Sequence, residues 1–155
     1  MTEKIDVAIV GAGPYGLSVG AHLRAAGLRT RQFGSPMRLW RGMPRGMFLK
    51  SQGFASNLSD PAGTHTLAAF CAEAGLPYRS YGLPISLDTF ISYGQWFADA
   101  QVPGLEATMV TGIGRNGGQF EVELADGERL LAARVVIAAG VEHFAWVPGD
   151  RKSVV

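Results

Sequence analysis

The residues of this chain best placed to do chemistry are Gly11-Ala12-Gly13-Pro14-Tyr15-Gly16. Three glycines at this spacing do separate work when a strand precedes them and a helix follows. The first permits a tight turn, the second lets backbone approach a pyrophosphate, and the third lets the helix pack closely on the strand. The helix N-terminus then offers free N–H groups and a partial positive charge to phosphate oxygens, and no cationic side chain is required. A glycine turn in an ordinary α/β protein would carry the same letters, so the flanks decide between the two. Ile5 to Val10 is a short, β-branched, nearly continuous apolar run, as expected of a parallel strand buried on both faces. Leu17 to Ala26 runs as a small-residue helix that Gly27 can end. Both flanks favour the anion-binding motif.

One companion residue is missing. A carboxylate about 20 residues beyond the first glycine normally bonds the ribose hydroxyls from the end of the second strand. Gly34 occupies that place, and no Asp or Glu occurs between Asp6 and Asp60. Arg24, Arg29, Arg31, Arg38, Arg41, Arg45 and Lys50 all fall in that interval. Such a stretch could greet the 2′-phosphate of NADPH; for Arg24, Arg29 and Arg31 a solvated arginine face is the expectation. Other reactive residue types form no constellation. His22, His65 and His143 lack ligand-like spacing, so no metal site is expected, and Cys71 reads as a small core residue. Ser18 and Ser56 have no His and acid partners in their sequence context, which leaves a hydrolase unsupported.

Arg29 to Phe33 is the expected second strand, and Ser35 to Pro61, rich in Gly, Pro, Ser and Met, is a long structured loop. Thr66 to Glu73 and Leu87 to Ala100 are expected to be short amphipathic helices, the second behind a Ser86 cap with Phe90, Tyr93 and Phe97 at helical spacing. Met109 to Ile113, Phe120 to Leu124 and Glu128 to Ala139 alternate like strands around turns at Gly117-Gly118 and Ala125-Asp126-Gly127. A β-meander thus feeds a final strand, Val135-Val136-Ile137-Ala138-Ala139. The pattern is that of an α/β domain without internal repeats.

Composition bounds the partners. The 155 residues carry 14 bases, 13 acids and a formal net charge of +1, too little field to hold nucleic acid or an anionic membrane by counterion release. A single cysteine rules out a disulfide within the chain, a Cys-x-x-Cys redox pair and a thiolate zinc cluster. No apolar run approaches the roughly 20 residues that span a bilayer, and the first strand is too short for a signal peptide. A cytoplasmic setting is the expectation. Glycine, 21 of 155 residues, is about twice its usual share, and several glycines stand where the backbone needs them.

Pro14 after the second glycine, together with Val135-Val136-Ile137-Ala138-Ala139-Gly140, resembles the flavoproteins with two dinucleotide-binding domains, in which the first Rossmann unit holds FAD. Within that group, Phe33-Gly34-Ser35-Pro36-Met37-Arg38-Leu39-Trp40, Met47-Phe48-Leu49-Lys50 and Ser59-Asp60-Pro61 look like the N-hydroxylating (lysine or ornithine) and related class B flavin monooxygenases. Asp88-Thr89-Phe90 with Tyr93 and Trp96 is similar too, and the resemblance runs from residue 4 to about 149. It implies a Rossmann-like FAD/NAD(P)-binding fold with a parallel sheet, a β-meander and two or three further short helices. Gly11, Gly13, Pro14, Tyr15 and Gly16 would then cradle the FAD pyrophosphate, and Trp40 would lie beside the flavin or its ribityl chain. Val110 would offer backbone groups to adenine, Gly140 would let backbone pass close to the cofactor, and Lys50 would contact substrate. Trp40 as a buried loop anchor and Lys50 as a surface lysine are the alternatives. Gly34 in place of the ribose acid, and Arg45 where those enzymes have glutamine, depart from the pattern.

The activity so implied is an NADPH-dependent monooxygenase acting on a small molecule, with NADPH bound by a part of the enzyme outside this chain. Another flavin reductase or dehydrogenase, or a nucleotide-binding module without catalysis, would use the same unit. Residues 1–149 are expected to form an incomplete FAD-binding domain. Residues 150–155, Asp-Arg-Lys-Ser-Val-Val, depart from the family and back-translate to a common sequencing adapter, so they are expected to be a non-native tail.

Overall fold

The computed structural model describes residues 3–142. Strand β1 (Lys4–Val10) leads through the glycine turn into helix α1 (Pro14–Ala25) and strand β2 (Thr30–Phe33). Helices α2 (Arg38–Arg41), α3 (Leu67–Glu73) and α4 (Leu87–Gln101) follow, with a 3-10 turn at Gly53–Ala55. Strands β3 (Leu105–Glu106), β4 (Val110–Asn116), β5 (Gln119–Leu124) and β6 (Arg129–Ile137) complete the described chain. They form one six-stranded sheet in the order β3-β2-β1-β6-β5-β4. β1, β2, β3 and β6 are mutually parallel where they pair, and β4 and β5 add antiparallel to β6 as the meander. The Rossmann-like α/β architecture read from the sequence is the one observed.

Two cores hold the layers together. Leu17 and Ala21 of α1, Phe70 and Cys71 of α3, and Phe90, Tyr93 and Phe97 of α4 share one buried cluster with Met37 and Leu58 from the long loop. Ile5, Ala8 and Phe33 form the second with Val122, Leu124, Leu130 and Ala132 of the meander. Caps set the helix starts: Thr66 accepts from the Ala69 amide at 3.1 Å and Ser86 from the Thr89 amide at 3.1 Å. The loop between β2 and α3 is pinned by the Tyr93 hydroxyl, which accepts from the Leu58 amide at 3.0 Å and donates to the His65 carbonyl at 2.7 Å. Burial pushes that phenol up to about 12.

Three details differ from the sequence reading. α1 begins at Pro14, whose fixed φ suits the first helical position, three residues before the apolar run begins. β3 is two residues long, too short for any period to show. It is held by Arg31, whose guanidinium donates to both oxygens of Glu106 at 2.7 and 2.6 Å and also reaches Glu3 and Glu128. α2, one turn within the long loop, has no apolar stripe to announce it. The segment 143–155, including His143 and the expected tail, lies outside the described residues. No described helix is long and apolar enough to cross a membrane.

Candidate dinucleotide site

The carboxyl ends of β1, β2 and β6 meet at one edge of the parallel sheet, where the chain leaves β1 toward β2 on one side while β6 returns on the other. Crevices outside such a switch point are where open α/β sheets bind ligands. Backbone hydrogen bonds stitch the loops there: the Gly11 amide donates to the Phe33 carbonyl at 2.8 Å, the Met37 amide to Ala12 at 3.0 Å, and the Ala138 amide to Val10 at 2.7 Å.

The three fingerprint glycines separate cleanly. Gly11 has φ +116, and a Cβ there would collide with the Ala138 carbonyl of the strand beside it. A Cβ at Gly16 would collide with the Gly11 carbonyl, so α1 sits directly on the turn. Both positions are glycine for the chain's own sake. Gly13 is not: its φ is −77, open to any residue, and nothing lies within 4 Å of an added Cβ. The open space in front of Gly13 lies at the N-terminus of α1, where no side chain caps the helix and no acid stands in the first turn. Tyr15 is 85% exposed at this end, and Ser18 donates back to the Pro14 carbonyl at 2.8 Å. A cradle of free amides that a Cβ at residue 13 would enter, with no acid in the first turn of the helix, fits the pyrophosphate of a dinucleotide.

Gln32 is a site-forming residue that the sequence reading did not single out. It is 3% exposed; its Nε2 donates to the Gly11 carbonyl at 2.8 Å, while its Oε1 has no partner. A Cβ at Gly20 would collide with that oxygen, so the small residues of α1 leave room for a carboxamide that holds the turn from below. The available signal was an amide in a short strand otherwise destined for burial.

Three of the arginines are committed elsewhere. Arg29 pairs with Asp6 at 3.3 Å, Arg24 donates to the Gln101 carbonyl at 3.2 Å, and Arg31 serves three glutamates. These three do not form a free phosphate-binding face; Arg24 and Arg29 are solvated as expected, whereas Arg31 is drawn into an ion-pair network that leaves its side chain 18% exposed. Arg38, by contrast, approaches Met109 Sδ at 3.8 Å and Glu142 at 3.6 Å, which brings the segment before Val110 to α2. Val110 itself is half-buried at the start of β4, opposite Leu124. A Cβ at Gly140 would touch only Leu39 of α2, at 3.8 Å. Gly140 and Met109, the residue before Val110, thus both meet α2. Trp40 packs edge-on against Phe90 with ring centroids 4.7 Å apart, as a loop anchor does. Lys50 is exposed, with no bonded partner among the described residues.

The remaining reactive types are structural. His22 bonds the Ser59 hydroxyl at 2.9 Å, and His65 lies 3.8 Å from the buried Asp60 carboxylate, whose pKa is lowered despite burial by the His65 and Thr64 amides. Cys71 is fully buried, and burial pushes its thiol up. Ser56 pairs with Ser51 at 2.8 Å. Among the described residues no group of three His, Cys, Asp or Glu could hold a metal.

No known protein-family profile matches the chain. A curated relative, ferredoxin–NADP reductase 2 of Chloroherpeton thalassium, is 32% identical over 144 residues, which is 92% of this chain and 35% of that protein. A flavin-containing monooxygenase from Stenotrophomonas maltophilia superposes with a TM-score of 0.77 at 22% identity, over 94% of this chain and 41% of its own. Bacillithiol disulfide reductase from Staphylococcus aureus gives 0.72 at 15% identity, over 89% and 39%. An NADP-bound steroid monooxygenase gives 0.69 at 22% identity, over 90% and 26%. The fold is one shared by flavin monooxygenases and by a disulfide reductase, and the resemblance drawn from the motifs holds at that level. The chain spans about a third of the curated relative's length.

Proposed function

We propose that this chain binds FAD and serves as the dinucleotide-binding part of a flavin-dependent oxidoreductase, an NADPH-dependent monooxygenase acting on a small molecule. The observation that carries the reading is Gly13: a glycine the chain does not need, facing open space at an uncapped helix N-terminus. Gly11 and Gly16 shape the turn, Gly13 leaves the space in front of it open, Pro14 and Tyr15 begin the helix whose amides meet the pyrophosphate, and Gln32 fixes the Gly11 carbonyl beneath it. Bound FAD supplies the redox chemistry. Val110 and Gly140 flank the cofactor through backbone, and Trp40 bounds its flavin end through α2. Lys50, exposed between Phe48 and Phe54, is the cation available to orient a substrate carboxylate or carbonyl.

Preference for FAD over NADPH at this site rests on Pro14 and on the glycine after β6, and on Arg29 and Arg31 being already paired. Purified chain, refolded with each cofactor separately, should retain flavin with its visible absorbance band; retention of NADPH without flavin uptake would count against the proposal. A reductase is the second reading, favoured by the ferredoxin–NADP reductase relative. A disulfide-reducing version gains no support from the chain itself, because its one cysteine is buried and cannot form a dithiol pair.

A further inference from the structure

Gly34 ends β2 with φ +133, and a Cβ there would lie 3.3 Å from the Ala12 amide nitrogen. A side chain at the usual position for a ribose-binding acid is therefore strained and tightly crowded in this chain. Beside Gly34 opens a groove of about 360 Å³ between the end of the sheet and α4, walled by Pro36, Leu105 and Ala107, with Gln95 and Asp99 as its polar members. Asp99 Oδ1 accepts from Gln95 Nε2 at 2.9 Å, and Gln95 Oε1 accepts from Arg41 Nη2 at 3.0 Å. Arg41 Nε is in turn anchored on the Pro36 carbonyl at 3.1 Å. That relay orients the Asp99 carboxylate and leaves Oδ2 with no partner among the described residues.

We propose that Asp99, on α4, takes over the role of the acid missing from β2 and accepts the hydroxyls of the adenosine ribose of a bound dinucleotide. The inference rests on the dinucleotide reading above. Two neighbouring O–H donors suit a carboxylate that still has an unpaired oxygen, and charge-assisted bonds of this kind are the stronger ones. The apolar walls of the groove suit a nucleobase. A carboxylate here also repels a 2′-phosphate, so the groove selects the unphosphorylated adenosine of FAD or NAD(H) over that of NADP(H). The charge of Arg41, spent on Gln95 and the Pro36 carbonyl, serves to position this acid.

Calorimetric titration of the full chain with ADP and with 2′-deoxy-ADP isolates the contact. The wild type should bind ADP about ten-fold more tightly than the deoxy analogue, the span expected of one charge-assisted hydrogen bond. Asp99→Asn and Asp99→Ala should bind the two alike, with unchanged melting temperatures. Discrimination that survives both substitutions, or a wild type that binds ADP without discriminating, overturns the assignment of Asp99. A wild type that binds neither ADP nor FAD overturns the dinucleotide reading itself, and this inference with it.

Discussion

Gly16 and Gln32 show how closely the phosphate-facing turn is built. Gly16 keeps α1 against the Gly11 carbonyl, and Gln32 holds that same carbonyl from beneath at 2.8 Å. Gln32→Leu should leave the half-buried Gly11 carbonyl without this donor, a loss of about 1 kcal/mol offset in part by removal of the orphaned Oε1. Gly16→Ala forces backbone apart and should lower stability at least as much. Urea denaturation of both variants checks this; unchanged midpoints would mean that the turn relaxes freely. The fingerprint itself was legible in the sequence. Gln32 was not, because its role depends on the small side of α1 lying over β2, a packing fact with no periodic signature. Nor was the crowding at residue 34 legible: the sequence shows that the acid is missing, while only the φ of Gly34 and its approach to Ala12 show that a side chain there would be strained.

Among elements, β3 depends most on a side chain outside itself. Its two residues join β2 through a pair of register contacts, and Arg31 clamps Glu106 from β2 while reaching Glu3 and Glu128. The hydrogen bond from Arg31, and then its charge, hold the Glu128 carboxyl below the usual glutamate range. A carboxyl with a depressed folded pKa binds fewer protons in the native state than in the unfolded one. Its contribution is therefore present above the ordinary glutamate range and lost as pH falls through the folded value. Arg31→Met should cost about 1–3 kcal/mol at neutral pH, by leaving three glutamates together, and flatten the acid side of the stability profile. Melting curves between neutral and strongly acidic pH test this; equal acid slopes in the two proteins would dismiss the clamp. Strongly patterned elements, β1, α1, α4 and the meander hairpins, were legible because burial on known faces writes a period into the residues. α2 and β3 are too short to carry one, and they are held by Met37 and Arg31 rather than by propensity.

At the scale of the whole molecule, the strand order puts the Gly11–Gly16 turn at the point where the sheet changes direction, with β6 and its following glycine beside it. An apolar groove of about 540 Å³ runs along Val7, Leu23, Leu28 and Val136 on the α1 side of β6. The chain contains one glycine fingerprint, and with FAD in it no second nucleotide site of that kind remains to deliver hydride. The 155-residue chain should therefore bind flavin without oxidising NADPH in a substrate-coupled way. The central claim, that the space in front of Gly13 belongs to a pyrophosphate, is tested most directly by titrating FAD into wild-type chain and Gly13→Asp side by side while recording their melting temperatures. With ordinary φ and nothing within 4 Å of its Cβ, residue 13 should accept aspartate without loss of fold, while the added carboxylate occupies and repels the anion site. Saturable FAD binding by the wild type, absent in an equally stable Gly13→Asp, is the predicted result; equal FAD binding by both proteins would contradict it.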